Sequence, residues 1–169
     1  MSKNLLTSLF LFLTVLITAQ KKKEIKKFGI RTVTQTETKE GKTITDNKVT
    51  YDKDGEKTEE LNNDKNGALK SIIKSKYNKS GDVIEELEYD EKNILKEKRV
   101  SKYNSLGEKV EELTTDKDNK IIKKEIYTYS SQGLKTEKKT YDANNAIISV
   151  KKYIYTYKKS DLISESAKD

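Results

Sequence analysis

The chain contains no cysteine, no histidine and no proline. Without cysteine there is no disulfide, no thiolate zinc site, no cysteine nucleophile and no lipid-modified cysteine of a bacterial lipoprotein. Without histidine the commonest general base and the commonest transition-metal ligand are missing. The lack of proline suits a chain whose backbone N–H groups are needed in ladders. Apolar residues are scarce too, 33% against 37% charged, which argues against a thick core and borders on a disorder composition. Interspersed charge signs and ten tyrosines that recur in phase weigh against disorder. Heavy use of lysine, asparagine and isoleucine matches the coding bias of an AT-rich bacterium.

The chain has one long hydrophobic run. Lys3 precedes the apolar stretch Leu5 to Thr18, and Ile17-Thr18-Ala19 offers a small-residue cleavage site that leaves Gln20 as the mature start. This is the layout of an export signal over residues 1–19. The run is short for a membrane span, which needs ~20 residues, and no later segment is apolar enough to cross a bilayer. The expected location is therefore secreted or periplasmic, in the cell envelope, with no transmembrane span in the mature chain.

The rest of the sequence is periodic. Tyr51, Tyr77, Tyr103, Tyr129 and Tyr155 are spaced by 26 residues, and Gly55, Gly81, Gly107 and Gly133 follow the first four at a fixed distance. A second phase holds Gly67, Asn93, Asn119 and Asn145, preceded by Asp64, Asp90, Asp116 and Asp142. Gly29 and Gly41 fall in the same two phases one unit upstream, so all seven glycines occupy two positions of the period. Asp or Asn opening a turn can hydrogen-bond the backbone ahead of it, and Gly or Asn at the fourth position tolerates the left-handed conformation of a bulged type I turn. The intervening segments are short and rich in Val, Ile, Thr and Tyr, which favours strands over helices.

These features predict an all-β fold: an antiparallel meander of tandem 26-residue β-hairpin repeats. The sheet is expected to be twisted, single-layered or loosely curled, with about eleven strands, after an N-terminal signal helix. The predicted organisation is a signal peptide (1–19), a basic flexible arm (20–27) and a repeat domain (28–169). Its units are 25–50, 51–76, 77–102, 103–128, 129–154 and a partial cap from 155 to 169. Reading the turns as four-residue loops places Asn63 opposite Ala68 and Leu61 opposite Lys70. Glu85 then falls beside Lys74 and Lys98, and Glu112 between Arg99 and Lys123, pairs of the kind that contribute ~0.2–1 kcal/mol each. Leu61, Leu87 and Leu113 are expected on one face with Ile122 and Ile148. Leu69, Leu95, Ile121 and Ile147 are expected on the other, near the tyrosines. Charges on every strand exclude a membrane barrel.

The segments Tyr51-Asp52-Lys53-Asp54-Gly55, Tyr77-Asn78-Lys79-Ser80-Gly81 and Tyr103-Asn104-Ser105-Leu106-Gly107 resemble the YD repeats of the Rhs family of bacterial surface and toxin proteins. The period here is longer, Glu-Glu-Leu at 85–87 and 111–113 replaces an Arg-Leu-Thr-like run, and no toxin domain is present. The resemblance implies a β-rich wrapping or scaffold element. A weaker similarity to MORN-type hairpin repeats lacks that family's glycine-centred motif.

No catalytic site is legible. The carboxylate pairs Glu59/Glu60, Glu85/Glu86 and Glu111/Glu112 cannot serve one substrate, because adjacent strand residues point to opposite faces. The Asp-rich turns at 52–54 and 116–118 are too sparse in oxygen ligands for calcium and fit turn chemistry. The chain is therefore read as a non-enzyme with no cofactor and no metal, and nucleic acid is not an expected partner. The expected function is an exported scaffold or interaction protein of the cell envelope, with an envelope protein or polysaccharide as partner. The alternative is a binding module for polysaccharide or anionic lipid. It would use the tyrosine column (Tyr51, Tyr77, Tyr103, Tyr129) for stacking and Lys21, Lys22 and Lys23 of the basic arm for charge.

Overall fold

The computed structural model describes residues 22–157. The expected signal segment, Lys21 and the cap from residue 158 onward, where the eleventh strand was expected, lie outside the described residues. Ten strands follow in order: β1 (Thr32–Lys39), β2 (Lys42–Tyr51), β3 (Lys57–Asn63), β4 (Leu69–Tyr77), β5 (Val83–Asp90), β6 (Leu95–Tyr103), β7 (Lys109–Asp116), β8 (Ile121–Tyr129), β9 (Lys135–Tyr141) and β10 (Ile147–Lys152). They form one antiparallel meander in sequence order, with β1 and β10 as its edges. Strand contacts run essentially between sequence neighbours, so the sheet is a single open layer.

The turns from residue 52 onward share one construction. Asp52 Oδ1 accepts hydrogen bonds from the amides of Asp54 and Glu56, both at 2.9 Å, while the Gly55 amide donates to the Asp52 carbonyl. The same pair of bonds recurs from Asp64, Asn78, Asp90, Asn104, Asp116 and Asp142. At the remaining turn Ser130 substitutes its hydroxyl at 3.2 Å. The fourth position has positive φ each time, whether Gly55 at 81° or Asn93 at 61°. That conformation is why these phases hold only Gly and Asn.

A further irregularity follows each of these turns. Three residues past the positive-φ position the ladder skips one residue: 58, 70, 84, 96, 110, 122, 136 and 148. Such bulges strengthen the right-handed twist, and they correct the expected register. Leu61 pairs with Ile72 rather than Lys70, and Asn63 with Leu69 rather than Ala68. Glu85 still reaches Lys98 at 2.9 Å, but its other partner is Lys76 at 2.7 Å, not Lys74. Glu112 pairs across the ladders with Ser101 and Glu125 rather than lying between Arg99 and Lys123.

The extra residue also swaps faces for everything between it and the turn. Leu69, Leu95, Ile121 and Ile147 pair with Asn63, Tyr89, Thr115 and Tyr141. They therefore join Leu61, Leu87 and Leu113 on one leucine face, away from the tyrosine column where the sequence reading put them. Lysines sit directly opposite these leucines: Lys48 by Leu61, Lys74 and Lys98 by Leu87, Lys124 by Leu113. Long lysine stems can cover apolar surface while their ammonium groups stay in water. Such cover lets a sheet without a second layer persist.

The first unit differs. β1 and β2 are joined by Glu40 and Gly41, both at positive φ, the two-residue hairpin turn whose twist matches its strands. Gly29, in phase with the turn glycines, instead ends a helix, α1, over residues 22–28. Its amide donates to the Lys26 carbonyl and the Ile30 amide to the Ile25 carbonyl, the paired bonds of a left-handed helix stop. The segment expected as a flexible basic arm is thus helical from residue 22. The reason is Ile25, which is 3% exposed; Ile25 and Val49 are the buried hydrophobic residues among those described. An apolar side chain with a place to bury gives a short helix the tertiary support that its length denies it.

Candidate functional site

The repeated tyrosines lie on the face opposite the leucines. Tyr77 Oη donates to the Lys57 carbonyl at 2.8 Å, Tyr103 to Val83 at 2.9 Å, Tyr129 to Lys109 at 2.8 Å and Tyr155 to Lys135 at 2.8 Å. Each acceptor is 20 residues earlier, in the preceding strand and next to a bulge. The phenol thus satisfies backbone at an irregular point of the ladder and ties consecutive strands together. Burial pushes the Tyr77 phenol up to about 12. Tyr51 lines a groove of about 710 Å³ with Val33, Val49 and Tyr77, beneath Lys22. Of the four tyrosines read as ligand contacts, Tyr77, Tyr103 and Tyr129 have their hydroxyls engaged internally.

The basic arm is also committed. Lys22 pairs with Glu56, and Lys26 with Asp54 at 3.1 Å. A Cβ on Gly55 would stand 2.8 Å from the Lys22 carbonyl oxygen, so α1 rests on the 52–55 turn. Lys23 is exposed, and Lys27 lies 5.1 Å from the Phe28 ring. Lys21 lies outside the described residues.

Paired carboxylates separate to opposite faces as strand geometry requires. Glu85 bonds Lys76 and Lys98 on the leucine face, and hydrogen bonds from those two ammonium groups hold its carboxyl below the ordinary range. Glu86 pairs with Arg99 on the tyrosine face, where Arg99 also meets Glu88 and Glu97. Further along that face Glu112 takes Lys109 at 2.8 Å. Glu125, 6% exposed, takes Lys138 at 2.7 Å and the Tyr127 hydroxyl at 2.9 Å. Burial pushes the Glu125 carboxyl up, but the bonds from Lys138 and Tyr127 and the charge of Lys123 outweigh it, so it lies below its ordinary value. Burial and this neighbouring carboxylate push the Tyr127 phenol up. These groups bond one another, and Glu86, Glu97, Arg99, Lys109, Glu112 and Lys123 together line a concavity of about 510 Å³. No group of three or more Asp and Glu among the described residues is arranged to hold a metal ion.

The sequence reading missed how unevenly charge and aromatic residues are distributed. Residues 22–118 carry 22 basic and 22 acidic side chains. Residues 119–157 carry 8 basic and 3 acidic, together with six of the ten tyrosines. Counting charge unit by unit would have found this; the whole-chain value of +7 conceals it. In the structure this segment is β8, β9, β10 and the residues beyond. There the Lys135 ammonium lies 4.7 Å from the Tyr127 ring and 5.9 Å from the Tyr153 ring.

No family model and no curated protein matches this chain. Among solved structures it is similar to a protein of unknown function from Bacteroides fragilis, at 15% identity and TM-score 0.36, over 77% of this chain and 95% of that one. It is also similar to a variant of S. aureus TarM crystallised with Fondaparinux, alpha-GlcNAc-glycerol and UDP, at 14% identity and TM-score 0.30. A second TarM structure matches at 15% identity and the same TM-score. The chain spans about a quarter of the TarM chains, 26% and 23%.

No helix of the described residues is long and apolar enough to cross a membrane.

Proposed function

We propose that this chain is an exported, non-catalytic β-repeat scaffold of the bacterial cell envelope, presenting an extended polar sheet to a partner. The observation that carries this reading is the use of the recurring side chains. The tyrosine hydroxyls go to backbone carbonyls, the Asp and Asn side chains close their own turns, and many strand charges pair with one another, across the ladder or along a strand. What repeats is what builds the sheet. An enzyme would show the opposite: a few side chains withheld from structural bonds and gathered in one concavity. The YD-repeat resemblance is in keeping with a scaffold.

The test is affinity capture of the mature chain from native envelope after crosslinking, with a unit-deleted chain (residues 77–102 removed) as comparison. A scaffold of tandem units keeps its fold when a whole unit is lost and retains a stoichiometric envelope partner. Recovery of the chain from the cytoplasmic fraction, or its crosslinking to nothing, would overturn the proposal.

A further inference from the structure

One lattice position of the sheet separates the last unit from the others. On the tyrosine face it pairs Glu60 with Ile73, Glu86 with Arg99, Glu112 with Glu125, and Lys138 with Lys151. The Glu112/Glu125 repulsion is relieved within the fold, because Lys109 holds one carboxylate and Lys138 and Lys123 hold the other. The Lys138/Lys151 pair is not relieved in the same way. Glu125 serves Lys138, and no carboxylate among the described residues lies within ion-pair distance of Lys151 or Lys135. Like charges directly opposite one another destabilise a ladder.

Aromatic rings surround this excess of cations. Tyr127 pairs with Lys138 across the ladder. The Lys138 ammonium stands 5.6 Å from the Tyr127 ring, and that of Lys135 stands between the rings of Tyr127 and Tyr153. Tyr153 is 38% exposed and Tyr155 44%. The column that carries Tyr127 and Tyr153 holds Val49, Ser75 and Ser101 in earlier units. The rings are therefore no requirement of the repeat. They occur only where the uncompensated lysines are.

We propose that the tyrosine face of β8–β10 binds an acidic polysaccharide, with Lys135 and Lys151 meeting its carboxylates and Tyr127 and Tyr153 its sugar faces. Rings with an apolar body and a polar edge suit a ligand that offers C–H faces and hydroxyls together. Cations spaced along a flat ribbon suit a polymer of regularly spaced charge better than a compact anion. This inference goes beyond the scaffold reading and stands without it, since a glycan platform and a protein partner can occupy different units.

The test measures binding of a polygalacturonate oligomer to the mature chain by calorimetry, with neutral dextran and a single-stranded DNA of equal charge as comparisons. Binding is expected for polygalacturonate alone, weakening with salt as exposed charge pairs do. The informative variant is Lys151→Glu, which places an anion opposite Lys138. It should raise the melting temperature and lower the affinity at least ~10-fold, because it relieves the like-charge pair and replaces with an anion a cation that the ligand would meet. Lys135→Gln should also lose affinity with the fold intact, and Lys23→Gln on α1 should change nothing. The inference fails if wild type does not bind polygalacturonate, if DNA binds equally well, if Lys151→Glu binds undiminished, or if Lys23→Gln abolishes binding. Loss of the envelope partner with glycan binding intact would count against the scaffold alone.

Discussion

The two ends of this sheet use the same repeat in opposite ways. At the N-terminal end a short helix covers the sheet beside the β2–β3 turn, its Lys22 and Lys26 are taken up by Glu56 and Asp54, and Ile25 is buried. At the C-terminal end β10 is exposed along its whole length, Ile154 is 93% exposed, and Lys151 faces Lys138 with no acid of its own among the described residues. One strand order thus leaves one end largely satisfied internally and the other with unmet demands. The backbone repeat specifies the sheet. Departures of the side chains from the repeat specify what each end can do.

The contrast breaks most readily at Ile25. Ile25→Ala should cost roughly 2–4 kcal/mol of local stability, releasing α1 and exposing Lys22 to Lys27 to rapid trypsin cleavage. Ile154→Ala, at an exposed site, should move the melting temperature hardly at all, within about 0.5 kcal/mol. Equal trypsin sensitivity in wild type and Ile25→Ala would mean that the helix gives the first strands no protection.

The next largest effect separates two glycines that the sequence treats alike. Gly55 and Gly107 have φ of 81° and 80°, so replacement of either by Ala carries the left-handed penalty of about 1–2 kcal/mol. Only at Gly55 does an added Cβ also meet the Lys22 carbonyl, at 2.8 Å; at Gly107 nothing lies within 4 Å. Gly55→Ala should therefore be clearly more damaging in thermal melts. Gly107→Asn should be milder than Gly107→Ala, since Asn already fills the equivalent place at 93, 119 and 145. If the two alanine variants melt alike, α1 does not rest on the turn.

What could be read from the sequence and what could not divides along the range of the interactions involved. The turns were legible because their chemistry is local: an Asp or Asn oxygen reaching amides two and four residues ahead, and a fourth residue that must tolerate positive φ. The bulges were not. Thr58, Ile84, Val110 and Thr136 after one set of turns, and Lys70, Lys96, Ile122 and Ile148 after the other, are ordinary strand residues, because a bulged residue of this kind needs no special φ. One unmarked extra residue per hairpin was enough to misassign the faces of Leu69 and Leu95 and to replace Lys76 with Lys74 beside Glu85. Helix α1 was hidden for a different reason. A run of lysines around one isoleucine has no helical signature until a surface exists for Ile25 to bury against. The Lys138/Lys151 opposition was equally invisible, since it depends on the register that the bulges set.

Acid sharpens the comparison at the basic end. The Glu125 carboxyl lies below its ordinary value in the fold, so its contribution is complete above that ordinary value and is lost as pH falls through the lower folded one. Protonation there removes the acid that serves Lys138 and Lys123. Glu125→Gln should lower the melting temperature at neutral pH and flatten its decline on acidification, while Lys151→Glu should offset part of the loss. A Glu125→Gln chain whose acid limb matches wild type would show that the lysine cluster does not depend on this carboxylate.

The smallest effects distinguish the repeated phenols by their cover. Tyr77→Phe and Tyr155→Phe each remove one hydroxyl donation to a backbone carbonyl, worth about 1 kcal/mol where water cannot replace it. Tyr77 is half-buried near α1, whereas Tyr155 is exposed, so Tyr77→Phe should cost more. Alkali reports the same difference with a definite sign. A phenol raised from 10.0 to about 12 contributes stability in full below its unfolded value and loses it as pH climbs through the folded one. Wild type should therefore lose stability across that interval as Tyr77 becomes charged, with its phenolate absorbance appearing late. Tyr77→Phe should lose part of the late phenolate absorbance, Tyr127 still supplying the rest, and the matching part of the alkaline decline. If the late phenolate is undiminished in Tyr77→Phe, other rings carry all of it, and the helix-covered end is no drier than the open one.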